Sequence, residues 1–411
     1  MCRASNLSNN WNKEPTILST KFLRFTTLTS GILLLAALCA TAQTPAAGAN
    51  LDSALLEAVD RGDLASVERL LDGGANIEAA GRNKETPLLV AAEGGDASIV
   101  KLLLERGASI HAQDVSGETA LVKVARRADS ELTKMLLART PTTKEKDEAL
   151  LEATRSEILV MNMDAAEGTD KFAESDEMSY EMSAPYAEVA KLLLDSGADI
   201  EARDYDGNTP LMSAASYGEV MVVKVLLARG ADINATDADG GTALMGAACD
   251  CGVIDKPDTR AALKLLLDSG VKLEIKTKEG KTALMMAATS NHSDLLELLL
   301  QKGADINGAD GDGNTALMLA AEGSVIPTAE AVKTLLEHGA AVNATNKSGQ
   351  TALMLAATGH SSESETILEL LLRWGADPDL KDAHGNTALA IASKGQHAEL
   401  ARILETGTRQ K

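Results

Sequence analysis

Cys249-Asp250-Cys251 is the one closely spaced pair of cysteines in the sequence. A zinc site needs four ligands, and no further cysteine or histidine lies at a ligand spacing from this pair. A Cys-x-Cys disulfide would close a short, strained ring, and it would need an oxidising compartment. The interpretation we favour is two ordinary thiols beside a helix end, because unpaired cysteine usually behaves as a small buried apolar residue. The disulfide stays as the alternative.

The segment Asp310–Asn314 begins like a calcium-binding loop, with the sequence Asp-Gly-Asp-Gly-Asn. An EF-hand loop needs glycine at its sixth position and glutamate at its twelfth, whereas glycine comes fourth here. A tight turn alone explains these residues. The six histidines stand singly, with no serine or cysteine at motif spacing, and the chain has no glycine-rich phosphate loop. The sequence therefore predicts no catalytic residue, no cofactor and no metal site.

The helices that hold these residues are predicted by a segment that begins with threonine and recurs along the chain. Most successive copies lie 33 to 40 residues apart, and they begin at Thr86, Thr119, Thr209, Thr242, Thr282, Thr315, Thr351 and Thr387. Threonine is a good N-cap, and the proline or alanine that follows it suits the first helical position. Each copy therefore predicts the start of a helix.

A second signature follows each of these helices at a regular distance. It is a leucine-rich run that ends in Gly-Ala-Asp or a near variant, as at Gly197, Gly230, Gly303 and Gly375. The leucines supply the apolar stripe of a second helix, and the glycine can take the left-handed conformation that ends it. Asp-Gly pairs such as Asp206-Gly207 and Asp239-Gly240 then predict the tight turn of a hairpin.

From about Leu51 to about Thr406 these motifs resemble the ankyrin-repeat family. The resemblance implies an all-α solenoid of helix–turn–helix units with projecting β-hairpin loops. It also implies recognition of a protein partner through hairpin tips, the concave helix face, or both. The family's usual Thr-Pro-Leu-His has Met, Leu, Val or Ala in place of His here, so apolar packing must replace the family's His–Thr hydrogen bonds.

Five methionines occupy that position, and we expect them to form a buried seam between first helices; an adaptable binding stripe is the alternative. They are Met212, Met245, Met285, Met318 and Met354.

We interpret the repeat domain, residues 51–406, as about ten units. They begin near Leu51, Lys84, Gly117, Asp147, Tyr205, Ala238, Lys278, Gly311, Lys347 and Ala383. Four insertions fall between the first and second helix of a unit, and hence along one edge, opposite the hairpin tips. The longest covers residues 156–184, and the shorter ones follow Cys249, Val325 and Ser361.

Aromatic residues are rare, and several stand at positions where other units carry polar or small residues. Trp374 occupies a site that holds Arg106 or Lys302 elsewhere, and Tyr205 lies at a hairpin tip. Aromatics often anchor interfaces, although a local mini-core under the long insertion is an equal alternative for those near it. The predicted protein-binding residues are Phe172, Tyr180, Tyr186, Tyr205, Tyr217, Trp374, Asp206, Asp239 and Asp312.

The N-terminus has the pattern of a secretory signal peptide. Lys21 and Arg24 precede the apolar run Gly31–Leu38, which leads to the small-x-small site Ala40-Thr41-Ala42. The run is too short for a membrane span. A lipoprotein anchored at Cys39 is the alternative, although Leu38 is larger than such a motif prefers. We expect residues 1–42 to be removed, residues 43–50 to be a linker, and the protein to be periplasmic or secreted.

The net charge of −21 disfavours binding to nucleic acid or to anionic membranes. We therefore predict a monomeric, non-enzymatic scaffold that binds a protein partner, which the charge suggests is basic. Two rival functions remain. The first is an acidic inhibitor or accessory subunit of an exported enzyme, and the second is an enzyme that uses the insertion edge with Cys249 and Cys251.

Overall fold

The computed structural model describes residues 51–155, 176–249, 257–290, 293–323 and 328–408. Within these residues twenty α-helices follow one another as ten pairs, in which odd numbers mark the first helix and even numbers the second. They are α1 Leu51–Asp60, α2 Leu64–Asp72, α3 Pro87–Gly94, α4 Ala97–Glu105, α5 Ala120–Arg126, α6 Ser130–Leu137, α7 Thr143–Glu152, α8 Asp176–Asp195, α9 Pro210–Tyr217, α10 Val220–Ala228, α11 Ala243–Ala248, α12 Pro257–Asp268, α13 Ala283–Ala288, α14 Ser293–Gln301, α15 Ala316–Glu322, α16 Ala329–Glu337, α17 Ala352–Ala356, α18 Ser364–Arg373, α19 Ala388–Lys394 and α20 Ala398–Thr408.

The helices of residues 51–408 pack as two layers. First helices contact the first helices of neighbouring pairs, as α3 contacts α5 and α15 contacts α17. Second helices do the same in the other layer, as α4 contacts α6 and α18 contacts α20. The fold is an all-α solenoid of stacked helix pairs, as the sequence predicts. No described helix has the length and apolar content that crossing a membrane requires.

The threonine signature caps most first helices. The side-chain oxygen of Thr315, for example, accepts a hydrogen bond from the backbone N–H of Met318 at 3.4 Å. Thr86 and Thr282 are exceptions, because neither side chain makes a capping bond. The five methionines that follow these caps have only 1–4% of their surface exposed, which confirms the predicted core seam.

The Gly-Ala-Asp loops end the second helices and connect neighbouring pairs. Gly197 and Gly303 have φ values of 93° and 89°, the left-handed conformation that glycine adopts easily. Beyond these loops, side chains of one unit accept from the backbone of the next. Glu274 Oε1 accepts from Asp305 N at 2.9 Å, and Asn343 Oδ1 accepts from Asp377 N at 2.8 Å.

Eight five-residue turns, which we call tips, precede first helices in the described residues. In each of them the first residue donates its N–H to the carbonyl of the fifth. The tips are 81–85, 114–118, 204–208, 237–241, 277–281, 310–314, 346–350 and 382–386. Their flanks form no regular strand in the described residues; one isolated bridge joins Ala309 and Thr315.

The fourth pair differs from the sequence prediction. Its first helix, α7, begins at Thr143, before the predicted start of the whole unit at Asp147, and no tip precedes it. Only residues 138–142 connect α6 to α7. This stretch contains neither a Gly-Ala-Asp loop nor an Asp-Gly turn. In place of a tip, α7 therefore begins about one helical turn before the predicted start of the unit. Helix α8 begins at Asp176, within the predicted insertion 156–184.

Candidate protein-binding surfaces

In six of the eight described tips the first residue holds the turn together through its side chain. Asp204 Oδ1 accepts from the backbone N–H of Asp206 at 3.0 Å and of Asn208 at 2.8 Å. Asp114, Asp237, Asp310, Asn346 and Asp382 make the same two bonds in their tips. These bonds explain the calcium-like segment Asp310–Asn314 as a turn built around one carboxylate.

The predicted contact residues Asp206, Asp239 and Asp312 are the third residues of their tips, and all three are exposed. Asp239 lies 3.6 Å from Lys278 Nζ in the next tip, an exposed pair of little energetic value. The sequence interpretation singled out these exposed aspartates and read Asp310–Asn314 as a turn, but it missed the turn-forming Asp204, which precedes an Asp-Gly pair by two residues.

A chain of ion pairs crosses the third and fourth helix pairs. It begins at Lys123, which is only 6% exposed, lies 3.0 Å from Glu93 Oε2 and 3.1 Å from Asp114 Oδ2, and is 3.7 Å from Glu118. Arg126 then pairs with Glu118, and its Nε lies 3.1 Å from Glu152 Oε2.

Arg155 continues this chain into the fifth unit. It lies 3.8 Å from Glu152 and 2.5 Å from Asp204, at the base of the fifth unit's tip. The carboxylates and cations therefore alternate from Glu93 in the second unit to Asp204 in the fifth. We call this set the ion-pair chain.

The pKa values follow from this arrangement. Burial alone would lower the pKa of Lys123, but hydrogen bonds to Glu93 and Asp114 outweigh it and raise the pKa above its ordinary value. Burial likewise opposes the charge of Asp114, but bonds from the Glu118 backbone and Lys123 lower its pKa. The bond to Glu118, with smaller help from Glu152, raises the pKa of Arg126. All three groups are therefore charged at neutral pH.

The helix position of Lys123 is apolar in several later units. Lys123 is the fourth residue after its cap threonine, and Met286, Leu319 and Leu355 hold that position in the seventh to ninth units. Met286 and Leu319 are half-buried. Lys123 therefore places a buried charge at a first-helix position that Val90, Leu319 and Leu355 fill with an apolar side chain.

Comparison with known families agrees with this architecture. A family model of ankyrin repeats in three copies matches residues 55–147, 229–310, 253–346, 307–382 and 327–409, and one of ankyrin repeats in many copies matches residues 185–247. The chain belongs to the ankyrin-repeat family. Ankyrin repeats generally mediate protein–protein interaction, and proteins built from them are typically non-enzymatic scaffolds. No curated protein in the comparison matches the chain.

The ankyrin repeats place the predicted aromatic contacts in different environments. Tyr205 is fully exposed on tip 204–208, directly beside Asp206. Trp374 is 44% exposed at the end of α18, in agreement with the solvated position that the internal alignment predicts. These two residues lie in the fifth and ninth units, so the fold does not bring them together on one tip or helix.

The aromatics near the long insertion are less available. Tyr186 is only 2% exposed, and its hydroxyl donates to the carbonyl of Arg126 at 3.4 Å, so the local-core interpretation holds for this residue. Tyr217 is half-buried at the end of α9. Phe172 and the side chain of Tyr180 lie outside the described residues, as does the predicted signal peptide 1–42.

The described residues give little support to chemistry at the cysteine pair. Cys249 is half-buried where α11 ends, and Cys251 lies outside the described part of the chain. Among the described residues, no group of three or more His, Cys, Asp or Glu side chains could hold a metal ion.

Proposed function

We propose that this chain is an exported ankyrin-repeat scaffold that binds a protein partner in the periplasm or outside the cell. Family membership supports a protein-binding role in general, and the pattern of residues 21–42 supports export. Tyr205 is the observation that carries the specific proposal. A fully exposed tyrosine on a tip contributes nothing to the core, and tyrosine is among the residues that most often anchor protein interfaces.

Three surfaces are available to the partner: the tips, the face of the first helices, and the edge with the insertions. The tips are favoured because Tyr205 and the exposed Asp206 lie there, whereas Tyr186 near the insertion is buried. The carboxylates of the tips would steer a basic partner and increase its association rate. A buried tyrosine ring would supply more of the affinity, at roughly 2 kcal/mol for a true anchor.

The test begins with affinity capture from the exported fraction of the source cell, followed by mass spectrometry. Affinity for the captured partner is then measured with Tyr205→Ala, with deletion of residues 158–182, and with Asp206, Asp239 and Asp312 replaced together by Asn. We expect Tyr205→Ala to weaken binding about tenfold or more, because a true anchor is worth roughly 2 kcal/mol. Lys278→Ala, at the same position of another tip, is the matched control and should have no effect. If only the deletion abolishes binding, the insertion edge is the site.

A second candidate function is an acidic inhibitor that fills the basic cleft of an exported enzyme. The net charge of −21 and the exposed carboxylates of Asp206, Asp239 and Asp312 favour it. Under this alternative the triple Asn variant should lose most of its affinity. Binding should also weaken steeply with salt, because exposed charges are screened over about 10 Å at 0.1 M ionic strength.

A further inference from the structure

Ion pairs join the ends of second helices in consecutive units. The residue directly before the left-handed glycine that follows a second helix pairs with the residue two places before the corresponding glycine of the preceding unit. The pairs are Arg106 with Asp72 at 2.7 Å, Arg229 with Asp195 at 2.8 Å and Lys302 with Asp268 at 2.7 Å. Side chains at these two positions therefore reach each other across the junction of two units.

The junction of the eighth and ninth units has the acid of such a pair but not the cation. Glu337 holds the acidic position, and Trp374 holds the position of the cation. Glu337 is exposed, and it makes no ion pair with any residue that the structure describes. The lysine one turn before it, Lys333, pairs with Glu330 at 2.9 Å instead.

The indole ring of Trp374 is available to a partner. The residue is 44% exposed and its N–H donates to Leu370 O, so its backbone ends α18 while the side chain stays outside the core. Among the aromatic side chains, the face of tryptophan attracts ammonium and guanidinium groups most strongly. This junction therefore lacks an internal cation and carries in its place the side chain best suited to bind one from outside.

Two basic residues beside the site leave it open. Arg373 directly precedes the tryptophan, but it holds the position whose side chains pair with the following unit, as that of Asp268 does. His338 Nε2 lies 3.3 Å from Glu297 Oε2 of the preceding unit. Neither makes an ion pair with Glu337, so its carboxylate remains available.

We propose that an arginine side chain of the protein partner binds between Trp374 and Glu337. Its guanidinium stacks on the indole face and pairs with the carboxylate, as Arg229 pairs with Asp195 within the chain. Arginine fits better than lysine, because a planar guanidinium can stack on an aromatic ring and donate two N–H groups to one carboxylate. The inference rests on the proposed function, and it adds a contact of stated chemistry at the ends of the second helices.

The fluorescence of Trp374 can test the site without knowledge of the partner. The sequence contains one other tryptophan, Trp11, so in the full chain with Trp11→Phe all tryptophan fluorescence comes from Trp374. The probe is the capped peptide acetyl-Gly-Arg-Gly-amide at constant ionic strength. Because one exposed contact gives millimolar affinity at most, the titration extends to about 50 mM. We expect a saturable change with this peptide and none when citrulline, which is similar in shape but uncharged, replaces the arginine.

Variants separate binding at this junction from attraction to the acidic protein as a whole. Glu337→Gln should weaken binding of the arginine peptide about threefold, the effect of losing an exposed ion pair. Glu105→Gln is the matched control, because it removes the same charge from the same position of α4, seven units away from Trp374. It should leave the affinity unchanged. Since both glutamates are exposed, the helical circular dichroism should not change.

Trp374→Arg extends the test to the captured partner. It supplies the missing cation from within the chain, so it should pair with Glu337 and weaken partner binding about threefold or more, as loss of a cation–π contact and an ion pair does. Trp374→Phe, which keeps an aromatic face, should weaken binding less.

Several outcomes would overturn the proposal. The first is no saturable response to the arginine peptide, and the second is an equal response to the citrulline peptide, which would make the ring a plain apolar contact. A third is an equal loss in Glu337→Gln and Glu105→Gln, which would indicate attraction to the overall charge. If the captured partner is insensitive to Trp374→Arg, arginine docking is wrong while protein binding stands. If no partner is captured, the proposed function itself fails, whatever the peptide shows.

Discussion

At the scale of single residues, Lys123 shows how a charge can be built into an apolar layer. Its ammonium group is surrounded by Glu93, Asp114 and Glu118, at the helix position that Leu319 fills in a later unit. A buried cation contributes little net stability while its partners are present. Removing one member of such a pair is costly, because the charges that remain lose their compensation.

We therefore predict that Lys123→Met lowers the free energy of unfolding by about 3 kcal/mol, as loss of one partner of a buried pair does. The matched control is Lys302→Met, which breaks the exposed 2.7 Å pair with Asp268 and should cost under about 1 kcal/mol. Urea unfolding followed by circular dichroism measures both values. Equal effects of the two substitutions would show that the burial of Lys123 carries no energetic weight.

The burial of Lys123 was predictable from its position in the repeat, although not from its residue type. A lysine in a helix normally indicates a solvated face, and only alignment with Leu319 and Leu355 places it where other units are apolar. Tyr205 and Trp374 were predictable by that same internal comparison, because they are unusual at their positions. The burial of Tyr186 was not, since it stands where Asp96 and Glu219 begin the second helices of other units and its hydroxyl contacts Arg126, far away in the sequence.

At the scale of elements, α7 replaces a tip by a helical start. Thr142 and Glu145 cap each other, because the Glu145 carboxylate accepts from Thr142 N at 2.7 Å and Thr142 Oγ1 accepts from Glu145 N at 3.3 Å. His111 Nδ1 lies 2.8 Å from Glu145 Oε1 and ties this cap to the loop between α4 and tip 114–118. Burial alone would raise the pKa of Glu145, but the bonds to His111 and Thr142 lower it below its ordinary value.

A carboxyl group with a lowered pKa in the folded state stabilises the fold above its unfolded pKa, near 4.5 for Glu145, and loses that effect as the pH falls through the folded value. We predict that Glu145→Ala destabilises α7 by about 1 kcal/mol at pH 6, the usual value of an N-terminal cap. The difference from the wild type should shrink as the pH falls below 4.5. Hydrogen exchange of the α7 amides measures it.

Glu131→Ala is the control for this pH dependence, because Glu131 is an exposed first-turn glutamate of α6. Asp147 does not disturb the comparison. Burial raises its pKa, which gives a pH dependence of the opposite sign, but that contribution is common to the wild type and Glu145→Ala. A difference that stays constant down to acidic pH would contradict the role of the Glu145 carboxylate.

The regular elements were predictable because each unit repeats a threonine cap, a leucine run and a glycine ending. The start of the fourth unit was not predictable from its length, because one change shortens the unit and another lengthens it. A tip is missing before α7 while residues are added after it, so counting positions from Thr119 to Thr209 suggested a later start at Asp147. The absence of any Asp-Gly pair between Leu137 and Ala149 was the better signal.

At the scale of the whole molecule, the described units form a linear array in which each helix pair contacts its neighbours. The stability of such an array is approximately the sum of unit stabilities and of the interfaces between adjacent units. Most neighbouring tips are joined by a backbone hydrogen bond, such as Lys347 N to Asp312 O at 2.9 Å, but the fourth unit has no tip and so no such bond to the fifth. The interface between these two units depends instead on side chains, above all on the Arg155–Asp204 pair at 2.5 Å.

We therefore predict that the array separates first at this interface. Arg155→Met removes the ion pair that links α7 to tip 204–208, and Glu152 and Asp204 lose a partner with it. The denaturant-induced transition should then split, so that amides of residues 51–155 and of residues 204–408 lose their protection against hydrogen exchange at different denaturant concentrations. Arg229→Met, which breaks the more exposed 2.8 Å pair with Asp195, should leave one coincident transition. A single transition in Arg155→Met, shifted no more than in Arg229→Met, would show that coupling along the array does not depend on the ion-pair chain.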